Sequence, residues 1–114
     1  MAELYEYHAT ILKVVDGDTI DARMDLGLEV SVTTRLRLAG IDAPERNTEA
    51  GKMAALWLSD RLPVGSVVTI RTQKDKREKF GRYLAEVVVD GSAQTLNEAM
   101  LGIGLAKPYS GGKR

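Results

Sequence analysis

Acids and arginines that could act together stand in three short blocks of this sequence: VVDGDT at 14–19, RLRLAGIDAPE at 35–45 and DKREKFGR at 75–82. Asp18 and Asp42 offer hard oxygen ligands, suited to calcium or magnesium and poor for softer metals. Carboxylates brought close repel one another, so a site that gathers several usually binds a cation. Glu45 lies three residues past Asp42, just after Pro44, where it could serve as base for a water at the same place. Arg37 and Arg82 carry planar forks that match phosphate oxygens and the extra charge of a phosphoryl transition state. A cation, a base and two arginines around a phosphodiester make a hydrolysis site. Taken singly, each residue is better explained as turn chemistry (DGD and IDAP) or as a surface charge. The grouping in three blocks is what needs an explanation.

Other chemistries fall away. With no cysteine there is no thiol nucleophile, zinc ribbon or disulfide frame, and the single histidine, His8, makes a multi-histidine centre or a Ser-His-Asp triad implausible. The acidic run from Asp16 resembles the start of an EF-hand, but Ile20, Asp21 and Gly27 occupy positions that need a ligand, a glycine and a glutamate. Gly102-Ile103-Gly104 follows a helical pattern and stops short of a dinucleotide loop, and no GxSxG elbow exists. Lysine plus arginine and aspartate plus glutamate each number 16, which excludes the global charge of a DNA-coating protein. The balance is uneven along the chain: residues 1–34 carry seven acids against Lys13 and Arg23, and 71–82 carry six bases against Asp75 and Glu78. An acidic pole suits a cation and a basic loop suits a polyanion, although solvated faces look the same.

These residues need a scaffold, and 114 residues with 44% hydrophobic content suffice for one domain spanning 1–114 with a loose tail at 110–114. Segments 7–15, 19–26 and 30–39 are rich in β-branched and apolar residues and are broken by DGD and DLGLE, so they read as strands. A helix over 48–62 carries a stripe of Ala50, Met53, Ala54, Trp57, Leu58, Arg61 and Leu62 and ends at Pro63, which makes Trp57 a core residue. Segments 67–72 and 83–90 read as two more strands joined by the charged loop, and Thr95 with Glu98 forms a capping box that opens a second helix ending near Gly102. The expected class is α+β: a five-stranded OB-fold β-barrel with one helix between strands three and four and a second after strand five. No apolar run reaches a membrane span and the N-terminus has no signal-peptide pattern, so the chain reads as soluble and cytoplasmic rather than secreted.

From residue 11 to 109 the sequence resembles the staphylococcal nuclease-like (thermonuclease) family. DGDT, RLAGIDAPE at 37–45 (R-x-L-x-x-x-D-x-P-E with small variation), D-K-x-x-x-F-G-R and LNEAML-x-x-GLA carry the resemblance. The resemblance implies an OB-fold nuclease that cuts DNA and RNA with one calcium ion. By position, Asp18 and Asp42 resemble the family's calcium-binding aspartates, with the carbonyl of Ala43 as a further ligand. Glu45 resembles the glutamate assigned to the attacking water, and Arg37 and Arg82 the arginines on the scissile phosphate. Lys79, Tyr83 and Tyr109 resemble substrate-side residues, and Lys74, Lys76 and Arg77 are expected to touch phosphates away from the reacting one. Single-stranded or locally opened nucleic acid is the expected substrate, bound by a monomer or a homodimer. Ala43 replaces the threonine of the best-known members, 46–52 is shorter than theirs, and a third helix that follows in them is missing after Arg114. Two other readings stay open: an inactive OB-fold module that binds nucleic acid or protein, and an assembly protein that keeps the barrel.

Overall fold

In the computed structural model, the described residues are 4–77, 83–89, 92 and 94–109, with the side chains of 4, 5 and 73–77 left aside. Three strands open the chain, β1 (Leu4–Asp16), β2 (Thr19–Gly27) and β3 (Val30–Leu38), followed by the short β4 (Ile41–Asp42). Helix α1 (Glu49–Arg61) leads to β5 (Val67–Arg77) and β6 (Tyr83–Val88), then to helix α2 (Leu96–Gly102) and β7 (Lys107–Pro108). β1, β2, β3, β6 and β5 close into a barrel in that order, and β4 pairs with β7 beside it. This is the expected five-stranded OB-type barrel, with a helix between its third and fourth strands and another after its fifth. Four of its seams are antiparallel; β3 and β6 run parallel through Leu36–Tyr83, Arg37–Leu84 and Leu38–Ala85.

The period of two along each strand aims alternate residues inward. Ile20, Ala22 and Met24 of β2, Leu36 and Leu38 of β3, Val68 and Ile70 of β5, and Ala85 and Val87 of β6 fill the interior with Ala9 and Ile11 of β1. Ala54, Leu58 and Leu62 of α1, with Leu96 and Met100 of α2, join the same core.

The two helix starts form as their side chains dictate. Thr48 Oγ1 accepts from the Gly51 amide at 3.0 Å, and Thr95 and Glu98 make the reciprocal capping box. The buried face of α1 differs from expectation. Gly51, Ala54, Ala55 and Leu58 are buried, while Met53 is 60% exposed and Ala50 and Arg61 face solvent. At its start the helix lies so close to the chain beneath it that Gly51 has no room for a Cβ. Trp57 is half-buried at the rim of the core, with the Arg61 guanidinium stacked 4.1 Å from its ring centre.

β5 also runs further than expected. Its backbone pairs with β1 as far as Gln73 opposite Leu4 and meets β6 at Arg77 opposite Tyr83, so Lys74, Lys76 and Arg77 lie on a strand and not in a loop. His8 is exposed on β1.

Asn97, on the buried side of α2, ties three segments together. Its Nδ2 donates to the carbonyls of Ala39 (2.8 Å) and Ala85 (3.0 Å), and its Oδ1 accepts from the Val87 amide at 3.1 Å. Replacing it with alanine strands buried backbone groups, at a cost of about 2–4 kcal/mol. A fall in the denaturant midpoint at unchanged m-value is the expected result, and an unchanged midpoint would mean that water replaces the amide.

Candidate active site

The turn between β1 and β2 presents Asp18. Gly17 makes this possible: a Cβ there would lie 2.8 Å from the Cβ atoms of both Ala43 and Ala54, so only glycine lets the turn settle on α1 and the chain after β4. Asp18 is buried. Its Oδ2 accepts from the Ala43 amide at 2.9 Å, its Oδ1 accepts from Thr19 Oγ1 at 3.0 Å, and its own amide donates to Asp16 Oδ1 at 3.3 Å. Burial opposes its charge, but hydrogen bonds with Asp16, Ala43 and Thr19 and the nearby Arg37 together hold its carboxyl below the usual range. Burial and the Asp18 carboxylate push Asp16 up instead, so of the two Asp18 is the settled anion.

Arg37 projects from β3 into the same place and is only 4% exposed. Its Nη1 lies 2.9 Å from Asp18 Oδ2, and its Nη2 donates to Asp42 Oδ1 at 3.4 Å. The Tyr109 ring lies 5.2 Å from the guanidinium carbon. Two clips hold these groups: β4 pairs Asp42 with Lys107, and the Tyr109 amide donates to the Gly40 carbonyl at 2.9 Å. The expectation of mutually repelling carboxylates needs revision here, because a guanidinium stands between Asp18 and Asp42. Nη1 is buried and ion-paired with Asp18, although its N–H is not aligned for a hydrogen bond.

Glu45 leaves this centre on an exposed stretch whose backbone is closely fixed. Its carbonyl accepts from both the amide (3.0 Å) and the hydroxyl (2.6 Å) of Thr48. The same carbonyl lies 1.8 Å from where a Cβ on Gly51 would stand, so any side chain at 51 pushes the Glu45 segment away. Gly51→Ala is expected to cost about 1–3 kcal/mol in stability. A melting curve like that of the unaltered protein would show that the segment yields freely.

The structure thus gathers Asp18, Arg37, Asp42, Ala43 and Tyr109. Tyr83 is partly exposed at the start of β6, opposite Leu36 and one position from Arg37 along the seam. Lys79 and Arg82 lie outside the described residues, and Lys74, Lys76 and Arg77 are placed by their backbone alone. Among the described residues no three histidine, cysteine or acidic side chains cluster as a ready metal cage. Asp21 is held by Arg35 in a two-pronged pair at 2.8 and 3.2 Å on the outer face of β2 and β3. Sequence reasoning did not single out Thr19, Gly51, or Arg46, whose guanidinium donates to the Val15 carbonyl behind the DGD turn. Of these only Thr19 carried a signal, as the last residue of DGDT. No helix among the described residues is long and apolar enough to cross a membrane.

Known proteins are similar to this chain over most of its length. The chain is 32% identical over 108 residues to an uncharacterized endonuclease of Escherichia coli O157:H7, and 32% over 111 residues to a micrococcal nuclease of Shigella flexneri. It is 29% identical over 115 residues to endonuclease YhcR of Bacillus subtilis. Each similarity covers 91% of this chain, which spans 62%, 59% and 9% of those relatives' own lengths. The family model of staphylococcal nuclease homologues matches residues 35–113, a stretch that includes Arg37, Asp42, Glu45, Arg82 and Tyr109. The chain belongs to the staphylococcal nuclease homologue family.

Proposed function

We propose that this chain is a calcium-dependent nuclease that hydrolyses phosphodiester bonds of DNA and RNA, with single-stranded or locally opened stretches favoured. The observation that carries this reading is Arg37, a buried guanidinium held between the carboxylates of Asp18 and Asp42. A bound phosphate would share this guanidinium's fork with the two carboxylates. The donor set suits a hard cation, since Asp18 is held in its charged form and Asp42 and the Ala43 carbonyl add oxygen. Calcium, held by Asp18, Asp42 and the Ala43 carbonyl, would supply Lewis-acid polarisation of the phosphate.

The chain's own residues do the rest. Arg37 and Arg82 hold the scissile phosphate by their forks and take up the charge that grows on its oxygens during attack. Glu45 accepts the proton of the attacking water as its oxygen bonds to phosphorus and the leaving oxygen departs on the opposite side. Tyr109 packs against Arg37 and keeps its guanidinium in place. Lys79 and Tyr83 line the approach, and Lys74, Lys76 and Arg77 engage phosphates further along the strand. The other reading, a module that binds nucleic acid without cutting, gains from the pairing of Arg37 with Asp18 and Asp42, which could be structural alone.

Calcium in hundredfold excess over its Kd is expected to stabilise the fold by about 2.7 kcal/mol, a melting shift of several degrees. Asp18→Asn should remove that shift. It should also destabilise the metal-free protein, because the Arg37 partner is lost. Calcium stabilisation that survives Asp18→Asn would move the cation elsewhere. For the basic strand, each alanine substitution at Lys74, Lys76 or Arg77 should lower the salt slope of oligonucleotide binding by about 0.7–0.9. Unchanged slopes in all three would leave these residues merely solvated.

A further inference from the structure

Among the described residues, the outer edge of β3 is bare along half its length. β2 covers one side of the strand from Val30 to Arg37, whereas β6 covers the other side only from Leu36 onward. Among the described residues nothing pairs with residues 30–35 on that second side. The direction of the free groups follows from the far end of the strand. Leu38 donates its amide to Asp18, toward β2, and Ala39 donates to Ala85, toward β6. By alternation, Ser31, Thr33 and Arg35 turn their amides and carbonyls to the bare edge. The register is regular on the β3 side, with its irregularity on β2 between Asp25 and Gly27.

Edges of this kind are usually blunted by charge, proline or a bulge. This one reads Val-Ser-Val-Thr-Thr, all compatible with a strand and without charge. The same hairpin leaves Leu26, Leu28, Val30 and Val32 from 47% to 97% exposed. We propose that a second copy of this chain pairs with this edge, antiparallel about a two-fold axis at Val32. In that register Ser31 of each copy meets Thr33 of the other in hydrogen-bonded pairs. Val32 meets its own copy in the close, non-hydrogen-bonded position, with Cα atoms about 4.5 Å apart. Val30 meets Thr34 on the same face. The flanking charges identify the occupant, since Glu29 of one copy falls beside Arg35 of the other at both ends. Arg35 is 51% exposed, so it can meet Glu29 while keeping Asp21. Both copies of Arg37 lie past the paired stretch, where β6 covers the strand, so neither site is blocked.

The chain has no cysteine, which permits a direct test. Mild oxidation of Val32→Cys should give a disulfide-linked dimer, because the axis brings the two thiols within bridging distance. Val67→Cys, on an equally exposed valine of β5, should remain largely unlinked. Sedimentation of the unaltered protein should show a monomer passing to a dimer as concentration rises. Val32→Lys should abolish the dimer with the melting curve kept, by setting two like charges on the axis, and Thr33→Pro should abolish it by removing an edge donor. A protein that stays monomeric at every concentration, with Val32→Cys oxidising no faster than Val67→Cys, overturns the proposal. So does a dimer that persists in both Val32→Lys and Thr33→Pro, or an edge that takes up only an unrelated extended peptide.

Discussion

Arg37→Lys is expected to cut nucleic acid about 10²–10³-fold more slowly than the unaltered protein, with oligonucleotide affinity nearly kept. Lysine retains the positive charge between Asp18 and Asp42, so the fold should hold. The fork is lost, however, and with it the two-pronged contact proposed with the phosphate. Single-turnover rates and binding measured on one substrate separate the two effects. A parallel loss of affinity and melting temperature at constant rate would make Arg37 a structural clasp for the acids and no part of the chemistry.

Glu45→Gln is expected to lower the rate by about 10²–10⁴-fold, the usual contribution of a general base. This change is the cleaner of the two. Glu45 is exposed and its segment is held through its backbone carbonyl, so removing the charge should leave the melting curve where it was. The loss should appear in kcat with little change in KM. Cleavage near the unaltered rate would remove Glu45 from the mechanism and leave proton transfer to water or another group.

Legibility in the sequence varied with the physics involved. The barrel strands showed because β-branched runs alternate against turn residues, and β2 and β3 follow that alternation inward at Ile20, Ala22, Met24, Leu36 and Leu38. Two of the three blocks of charge converge, because strand ends and turns bring Asp18, Arg37 and Asp42 to one place. Periodicity misled on α1, where Met53 and Trp57 look like core but the buried face holds Gly51, Ala54, Ala55 and Leu58, with no room for a Cβ at Gly51. A hydrophobicity pattern records greasiness and does not register distance. The extent of β5 was hidden for a related reason: Lys74 to Arg77 look like loop, yet backbone pairing with β1 and β6 decides the strand. Tertiary closeness was invisible as well. Nothing in the spacing showed that Arg37 would stand between the two aspartates, or that Asn97 would bind three separate backbone groups.

The central claim is cleavage of a phosphodiester at this cluster, and the most direct measurement is a cleavage assay on end-labelled single-stranded DNA, duplex DNA and RNA. Each substrate is run with calcium and with a chelator, for the unaltered protein, Arg37→Lys and Glu45→Gln. The account predicts products from the unaltered protein in calcium, fastest on single strands, none with chelator, and strong loss in both variants. Tight binding of the same oligonucleotides in calcium with no product would contradict it and make the chain a binding module.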